Sequence, residues 1–299
     1  MLRRVMRWGL VSLLGVLTSL SLASSPLAQS EPTYRVTVQT DIAYYRGADF
    51  NSRRHALDVY QPAGLNDAPV LIFVHGGGWS TGNKQIFSYI GRTFAERGYV
   101  TVVPNYRLSP TVQHPAHVRD VARAYAWTVA NIGQYGGDPT RVVLSGHSAG
   151  GHLVSLLTVN ERYLAEQNLD GNAIQGVISI SGIYDVTSIP PGILSSPVFT
   201  SSNEARRDAS PIFHVDEGEP PFRLMYARFD LPTLDRQARE FHTRLRSLGV
   251  ASNISQIDGR SHATIVLQIG NPGDPTTEEM LAFLKARTRE PEVMGREAE

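Results

Sequence analysis

The chain has 299 residues, enough for one large α/β domain or two small ones. Apolar residues make up 41% and charged residues 19%, which supports a sizeable core and excludes global disorder. Lys plus Arg and Asp plus Glu balance at 28 each, leaving no electrostatic case for nucleic acid or an anionic membrane as partner, and the absence of cysteine excludes disulfides, thiol nucleophiles and thiolate metal sites.

The first residues, MLRRVMRWGLVSLLGVLTSLSLASSPLAQS, pass from Arg3, Arg4 and Arg7 through an apolar run, Trp8 to Leu22, into small residues. That order is the order of a secretory signal peptide. The expectation is a leader over 1–28, cut between Ala23 and Gln29, and a periplasmic or secreted protein. The apolar run is short for a membrane span of about 20 residues, so no stable membrane anchor is expected after cleavage.

Strand signals follow in chain order: YRVTVQTDIAYY, HALDVYQP, PVLIFVHG, YVTVVPNYR, RVVLSG, GVISISG, FRLMYARFD and SNISQIDG. The first two alternate apolar and polar residues, which predicts half-exposed antiparallel edge strands. VLIFV, VTVV and RVVL are continuously apolar, as in central parallel strands covered on both faces. Between them, Val118, Val121, Ala122, Tyr125, Ala126 and Val129 recur at helical spacing. Ala238, Phe241, Leu245 and Leu248 do the same ahead of Gly249, a helix stop. The alternation predicts one domain over 31–286, a mostly parallel eight-stranded sheet with helices on both faces. Segments 160–175 and 186–215 break the alternation and predict at most a small cap at the sheet's carboxyl edge, where ligands bind in such folds. The last residues, 287–299 (RTREPEVMGREAE), read as a flexible polar tail.

Two glycine motifs carry the chemistry. GHSAG, Gly146 to Gly150, follows RVVLS and precedes GHLVSLLTV, so it fits G-x-S-x-G at a strand-to-helix turn. Such a turn lifts the Ser148 hydroxyl above the sheet beside a helix N-terminus, which stabilises developing negative charge. The plainer alternative is an ordinary turn with Ser148 as helix cap. Ser145, at the strand end without flanking glycines, is the weaker nucleophile candidate. HGGGW, His75 to Trp79, follows PVLIFV, and three consecutive glycines make sense where backbone N–H groups must approach an oxyanion. The amides of Gly77 and Gly78, joined by that of Ala149, are the candidate oxyanion hole, and His75 reads as a loop pin.

Together with NYRLSP, HPAHVRD, SGIYD and PPFRLMYARFD, these motifs resemble the α/β-hydrolase superfamily from about Leu57 to Leu284. The resemblance is to carboxylesterases with an HGGGW oxyanion loop, a neighbourhood that includes kynurenine formamidase-like and hormone-sensitive-lipase-like enzymes. It implies the chain order serine, acid, histidine. The acid is then Asp230, ending FRLMYARFD, with Asp235 as fallback because Ala227 stands where relatives usually carry glycine. An alternative role for Asp230 is to cap the helix that begins in DLPTLDRQARE. The base is His262, in the loop after the last strand. Of the other histidines, His55 and His75 precede the serine, His114 and His117 sit near a helix start, and His147 and His152 flank the nucleophile. His214 falls in the cap and His242 on a helix.

The implied activity is hydrolysis of small acyl esters through a Ser–His–Asp triad, with a small-molecule substrate, no metal and no organic cofactor. SGIYD leaves an arylformamidase-type amide hydrolase as the rival, and a catalytically silent binding scaffold as the rival of another class. The moderately apolar stretch 186–199 is a candidate pocket wall or a plain surface loop.

Overall fold

The continuously apolar runs lie where both faces of a sheet exclude water. In the computed structural model, which describes residues 33–170, 173–189, 198–200 and 202–288, eight strands form one sheet. They are β1 (Val36–Ala43), β2 (Ala56–Pro62), β3 (Ala68–Val74), β4 (Val100–Pro104), β5 (Gly137–His147), β6 (Ile174–Ile180), β7 (Phe222–Phe229) and β8 (Ser252–Ser261), in the order β1-β2-β4-β3-β5-β6-β7-β8. The pairs β1–β2 and β2–β4 are antiparallel, and every pair from β4–β3 to β7–β8 is parallel. The expected leader over 1–28, most of the tail 287–299 and the middle of 186–199 lie outside the described residues.

Period-two alternation sends strand side chains into two cores. Val70, Ile72, Val142, Leu144 and Val177 face α2 (Ala116–Asn131), α3 (Ala149–Val159) and α6 (Leu234–Ser247). Leu71, Phe73, Val143 and Ile178 face α1 (Ser88–Ala95) and α8 (Pro275–Thr288). Shorter helices complete the chain: α4 (Arg162–Ala165), α5 (Asn203–Asp208) and α7 (Thr264–Leu267). Val118 and Val121 on α2 and Phe241 and Leu245 on α6 are fully buried, whereas Ala126, Val129 and Leu248, at the edges of those stripes, are only partly covered. Gly249, with φ +77°, ends the last stripe.

The reading of the second strand as a half-exposed edge is wrong. β2 lies inside the sheet between β1 and β4, and its one charged residue, Asp58, is buried as the partner of a lysine from elsewhere. Asp58 accepts from the Lys84 ammonium at 2.5 Å and from the Asp41 amide at 2.9 Å. His55, just before the strand, bonds Asp120 at 3.1 Å, and Asp120 also takes two bonds from the Arg107 guanidinium, each at 2.8 Å. NYRLSP and HPAHVRD therefore meet as a buried ion pair, Arg107 with Asp120, sealed by His55.

The two segments that break the strand–helix alternation hold α4, α5 and short 3-10 turns at Val186–Ser188 and Pro211–Phe213. They are tied to the main body by polar side chains. Buried Arg206 donates to the carbonyls of Val186 and Ile189, and buried Gln237 on α6 accepts from the amides of Tyr184 and Asp185.

Candidate active site

Ser148 sits between β5 and α3 with φ 54° and ψ −118°, a left-handed backbone that non-glycine residues rarely adopt. The neighbouring glycines make the turn possible. A Cβ on Gly150 would stand 2.0 Å from the Val74 carbonyl oxygen, and one on Gly146 would stand 2.4 Å from the Gly150 carbonyl. The Ser148 amide donates to the Ile180 carbonyl at 2.8 Å, tying the turn to the next strand. Ser145 lies in β5 with its hydroxyl buried and unpartnered, away from the other candidates.

Three sequence-distant side chains converge at this turn. His262 Nε2 lies 2.9 Å from Ser148 Oγ, and His262 Nδ1 lies 2.6 Å from Asp230 Oδ1. His262 follows β8 directly and Asp230 follows β7, so adjacent parallel strands deliver the imidazole and the carboxylate to the same sheet edge. Asp230 does not cap α6; that helix starts at Leu234 behind Thr233. Asp235, the fallback acid, is exposed in the first turn of α6 and does not join the group.

The Asp230 carboxylate is nearly inaccessible, yet its pKa is lowered. Burial opposes ionisation, and hydrogen bonds from His262, the Ser181 hydroxyl and the Ala227 amide outweigh it. Ser181 donates to Oδ2 at 2.6 Å, the Ala227 amide to the same oxygen at 2.9 Å, and the Leu231 amide to Oδ1 at 2.8 Å. Ser181 is a site residue that the sequence reading missed; its only signal was its place at the head of SGIYD.

His147, immediately before the serine, is neutral and buried. Its Nε2 donates to the backbone carbonyl of His262 at 2.8 Å, and burial, with the nearby His262, lowers its pKa to about 3. The residue before the nucleophile thus grips the main chain of the residue facing it.

The HGGGW loop arrives from the end of β3. A Cβ on Gly76 would stand 2.9 Å from the His147 carbonyl oxygen and 3.2 Å from the Ser148 Cβ, so glycine is what allows this close approach. Gly77 (φ +125°) and Gly78 (φ +57°) hold backbone conformations that favour glycine and line the same cavity as Ser148 and His262. Ala149 opens α3, where the first amides have no intrahelical acceptor.

The loop is clamped in three places. His75 Nδ1 donates to the Gly76 carbonyl at 2.8 Å, its ring stacks 4.4 Å from Tyr106, and burial lowers its pKa to about 4. Trp79, buried with φ 57°, donates its indole N–H to His152 Nδ1 at 3.1 Å. That bond leaves the His152 proton on Nε2, which donates to the Ala209 carbonyl at 2.7 Å. At the loop's exit, buried Lys84 bonds Asp58 and Asp41, and the Asn105 side chain accepts the Lys84 amide at 2.7 Å. The tail of HGGGWSTGNK is therefore an anchor.

These elements surround a cavity of about 920 Å³. Its walls include Phe87, Ile183, Ile189, Leu234 and Val266, and among the described residues no carboxylate, lysine or arginine lines it. Among the described residues, no group of three or more His, Cys, Asp or Glu side chains is placed to share a metal ion, and no helix is long and apolar enough to cross a membrane.

Comparison with known proteins places this geometry in a lineage. The chain is 34% identical over 226 residues to the probable carboxylic ester hydrolase LipM of Mycobacterium tuberculosis, an alignment covering 70% of this chain and 52% of that protein. The chain thus spans about half the length of this relative. It is 25% identical over 233 residues to kynurenine formamidase of Danio rerio, covering 76% of this chain and 77% of that one. Among solved structures, esterase B from Lactobacillus rhamnosis superposes with a TM-score of 0.73 at 22% identity, covering 85% of this chain and 86% of that chain, which establishes the shared fold. The family model described as BD-FAE matches residues 57–245, from β2 through α6 and across both glycine motifs. Because that match takes in most of the domain and more than half of the chain, the chain belongs to the BD-FAE family of α/β-hydrolase carboxylesterases.

Proposed function

We propose that the protein is a serine carboxylesterase hydrolysing small neutral acyl esters, with Ser148 as nucleophile, His262 as general base and Asp230 as its orienting carboxylate. The observation that carries this reading is the unbroken hydrogen-bonded line from Ser148 Oγ through His262 to Asp230, at 2.9 and 2.6 Å, opening onto an apolar cavity. His262 Nε2 takes the Ser148 proton as Oγ attacks the acyl carbon, and Asp230 holds Nδ1–H and stabilises the imidazolium. Amides of Gly77, Gly78 and Ala149 receive the tetrahedral oxyanion, each donor worth about 3 kcal/mol in the transition state. Collapse of the intermediate breaks the ester C–O bond, and the alcohol leaves with the proton from Nε2. Water then repeats the sequence on the acyl-enzyme, releasing the acid and restoring Ser148. No step calls for a metal or organic cofactor.

The test is the Ser148→Ala variant, assayed with p-nitrophenyl acetate and a fluorophosphonate probe. Turnover and labelling should both vanish while the unfolding curve is retained; full activity in the variant would overturn the assignment, and failure of the wild type to react with either reagent would favour a silent scaffold. A second reading, arylformamidase-type amide hydrolysis, is favoured by the match to kynurenine formamidase over most of both chains. N-formylkynurenine in the same assay separates the two. Export to the periplasm or medium is part of the proposal, supported by the basic, apolar and small-residue order of the first 28 residues. N-terminal sequencing of the protein recovered from outside the cytoplasm tests it.

A further inference from the structure

Six large apolar side chains are substantially exposed among the described residues, and three of them gather at one place. Ile86 (53% exposed), Leu231 (48%) and Leu267 (53%) all line the cavity that holds Ser148. Single exposed apolar residues are ordinary on a protein surface, but a cluster at the mouth of a concave site is not. The three come from separate parts of the chain, and each belongs to a segment that builds the site. Ile86 lies on the turn that anchors the exit of the glycine loop, its amide bonded to Asn83 Oδ1 at 3.1 Å. Leu231 follows Asp230 directly and uses its amide on that carboxylate. Leu267 ends α7, the helix that begins two residues after His262. The segments carrying the oxyanion loop, the acid and the base thus each place one apolar side chain at the rim.

The interior beneath them offers a charged ligand nothing. Among the described residues no carboxylate, lysine or arginine lines the cavity, and its 920 Å³ lies near the upper end of the roughly 300–1,000 Å³ usual for small-molecule sites. An acetyl group would fill a small part of it and would leave the rim in water. A longer aliphatic chain would dry both.

We propose that Ile86, Leu231 and Leu267 form an apolar collar that selects esters by chain length. The preferred substrate class is then a neutral ester with an aliphatic chain long enough to run from the reacting carbon to the mouth. This rests on the esterase reading of Ser148 and names the substrate class for that same site. Each methylene that the collar takes out of water raises kcat/KM by roughly fourfold, from about 0.8 kcal/mol per buried CH2.

The experiment measures kcat/KM of the purified wild type on p-nitrophenyl esters from two to twelve carbons, and on acetates of straight-chain alcohols of the same lengths. The first arm reads a chain on the acyl side and the second a chain on the alcohol side. The expected result is a rise from the two-carbon to the eight-carbon chain in one arm. In Ile86→Ser/Leu231→Ser/Leu267→Ser the ratio of the eight-carbon to the two-carbon substrate should drop at least tenfold in that arm, and in each single serine variant about threefold. The matched control is Phe213→Ser, which removes an exposed apolar side chain outside the cavity and should leave the ratio unchanged. The single variants carry the test if the triple variant does not fold. A flat wild-type series, or a ratio unmoved in the single variants, overturns the collar while leaving the esterase reading intact. A wild type inactive on every ester, and unlabelled by a fluorophosphonate, overturns the esterase reading itself.

Discussion

Replacing His152 with leucine tests how the oxyanion loop is held. The wild-type imidazole, fully buried on α3, accepts from the Trp79 indole at 3.1 Å and donates to the Ala209 carbonyl at 2.7 Å. Leucine removes both partners at once and leaves a buried N–H and a buried C=O unpaired, at about 1–3 kcal/mol each. The variant should therefore lose about 2–6 kcal/mol of stability, read as a lower urea midpoint with an unchanged m value. Trp79 holds a left-handed backbone that costs a bulky residue of order 1–3 kcal/mol, so release of its indole lets the loop relax and carry Gly77 and Gly78 with it. Misplacing one oxyanion donor lowers kcat by about 100-fold or more. A double-mutant cycle with Trp79→Phe isolates the link, because both single variants break the same bond. A coupling of about 1 kcal/mol or more is expected, in stability and in ΔΔG‡ from kcat/KM on p-nitrophenyl butyrate. Additivity within about 0.3 kcal/mol, or a His152→Leu enzyme with wild-type kcat, would refute the argument.

Two further outcomes follow from the hydrogen bonds and burial around the site. Ser181→Ala removes a donor from the ionised Asp230 and should reduce stability at pH 7 by about 1.5–3 kcal/mol; an unchanged urea midpoint would sink it. Burial lowers four imidazoles far below their usual range, His75 and His117 to about 4 and His147 and His152 to about 3. In the unfolded chain they titrate near 6.5, so below that pH unfolding takes up protons and the folded state is penalised. Each histidine should remove about 1.4 kcal/mol per pH unit between about pH 6.5 and 4, and nothing above pH 7. Urea unfolding at pH 7.5, 6 and 5 measures this slope, and equal stability at pH 7.5 and 5 would contradict it.

What could be read from the sequence was local. Ser148 stands in a strand–turn–helix pattern confined to a dozen residues, and the central strands show themselves as unbroken apolar runs. His262 and Asp230 were reached through chain order, which needs only their position relative to the last two strands. Ala227 in place of the usual glycine raised a doubt about Asp230 that the structure explains: the contact is made by the Ala227 amide, which any residue but proline supplies. Long-range polar pairing was not legible. Ser181 reaches Asp230 across 49 residues, Lys84 reaches Asp58 across 26, and His55 reaches Asp120 across 65. No periodicity marks such partners, so Asp58 read as a solvent-facing residue and β2 as an edge. The alternation in HALDVYQP was real, but His55 and Asp58 face buried charges instead of water.

The bond from His147 to the main chain of His262 bears on how the enzyme turns over. Because the His147 side chain clasps the main-chain carbonyl of His262, the backbone that carries this imidazole is tied to the turn that carries Ser148. The two backbones are thereby preset, so the Ser148–His262 hydrogen bond needs only side-chain rotation to form, and His147→Ala should lower kcat on p-nitrophenyl acetate more than it lowers the urea midpoint.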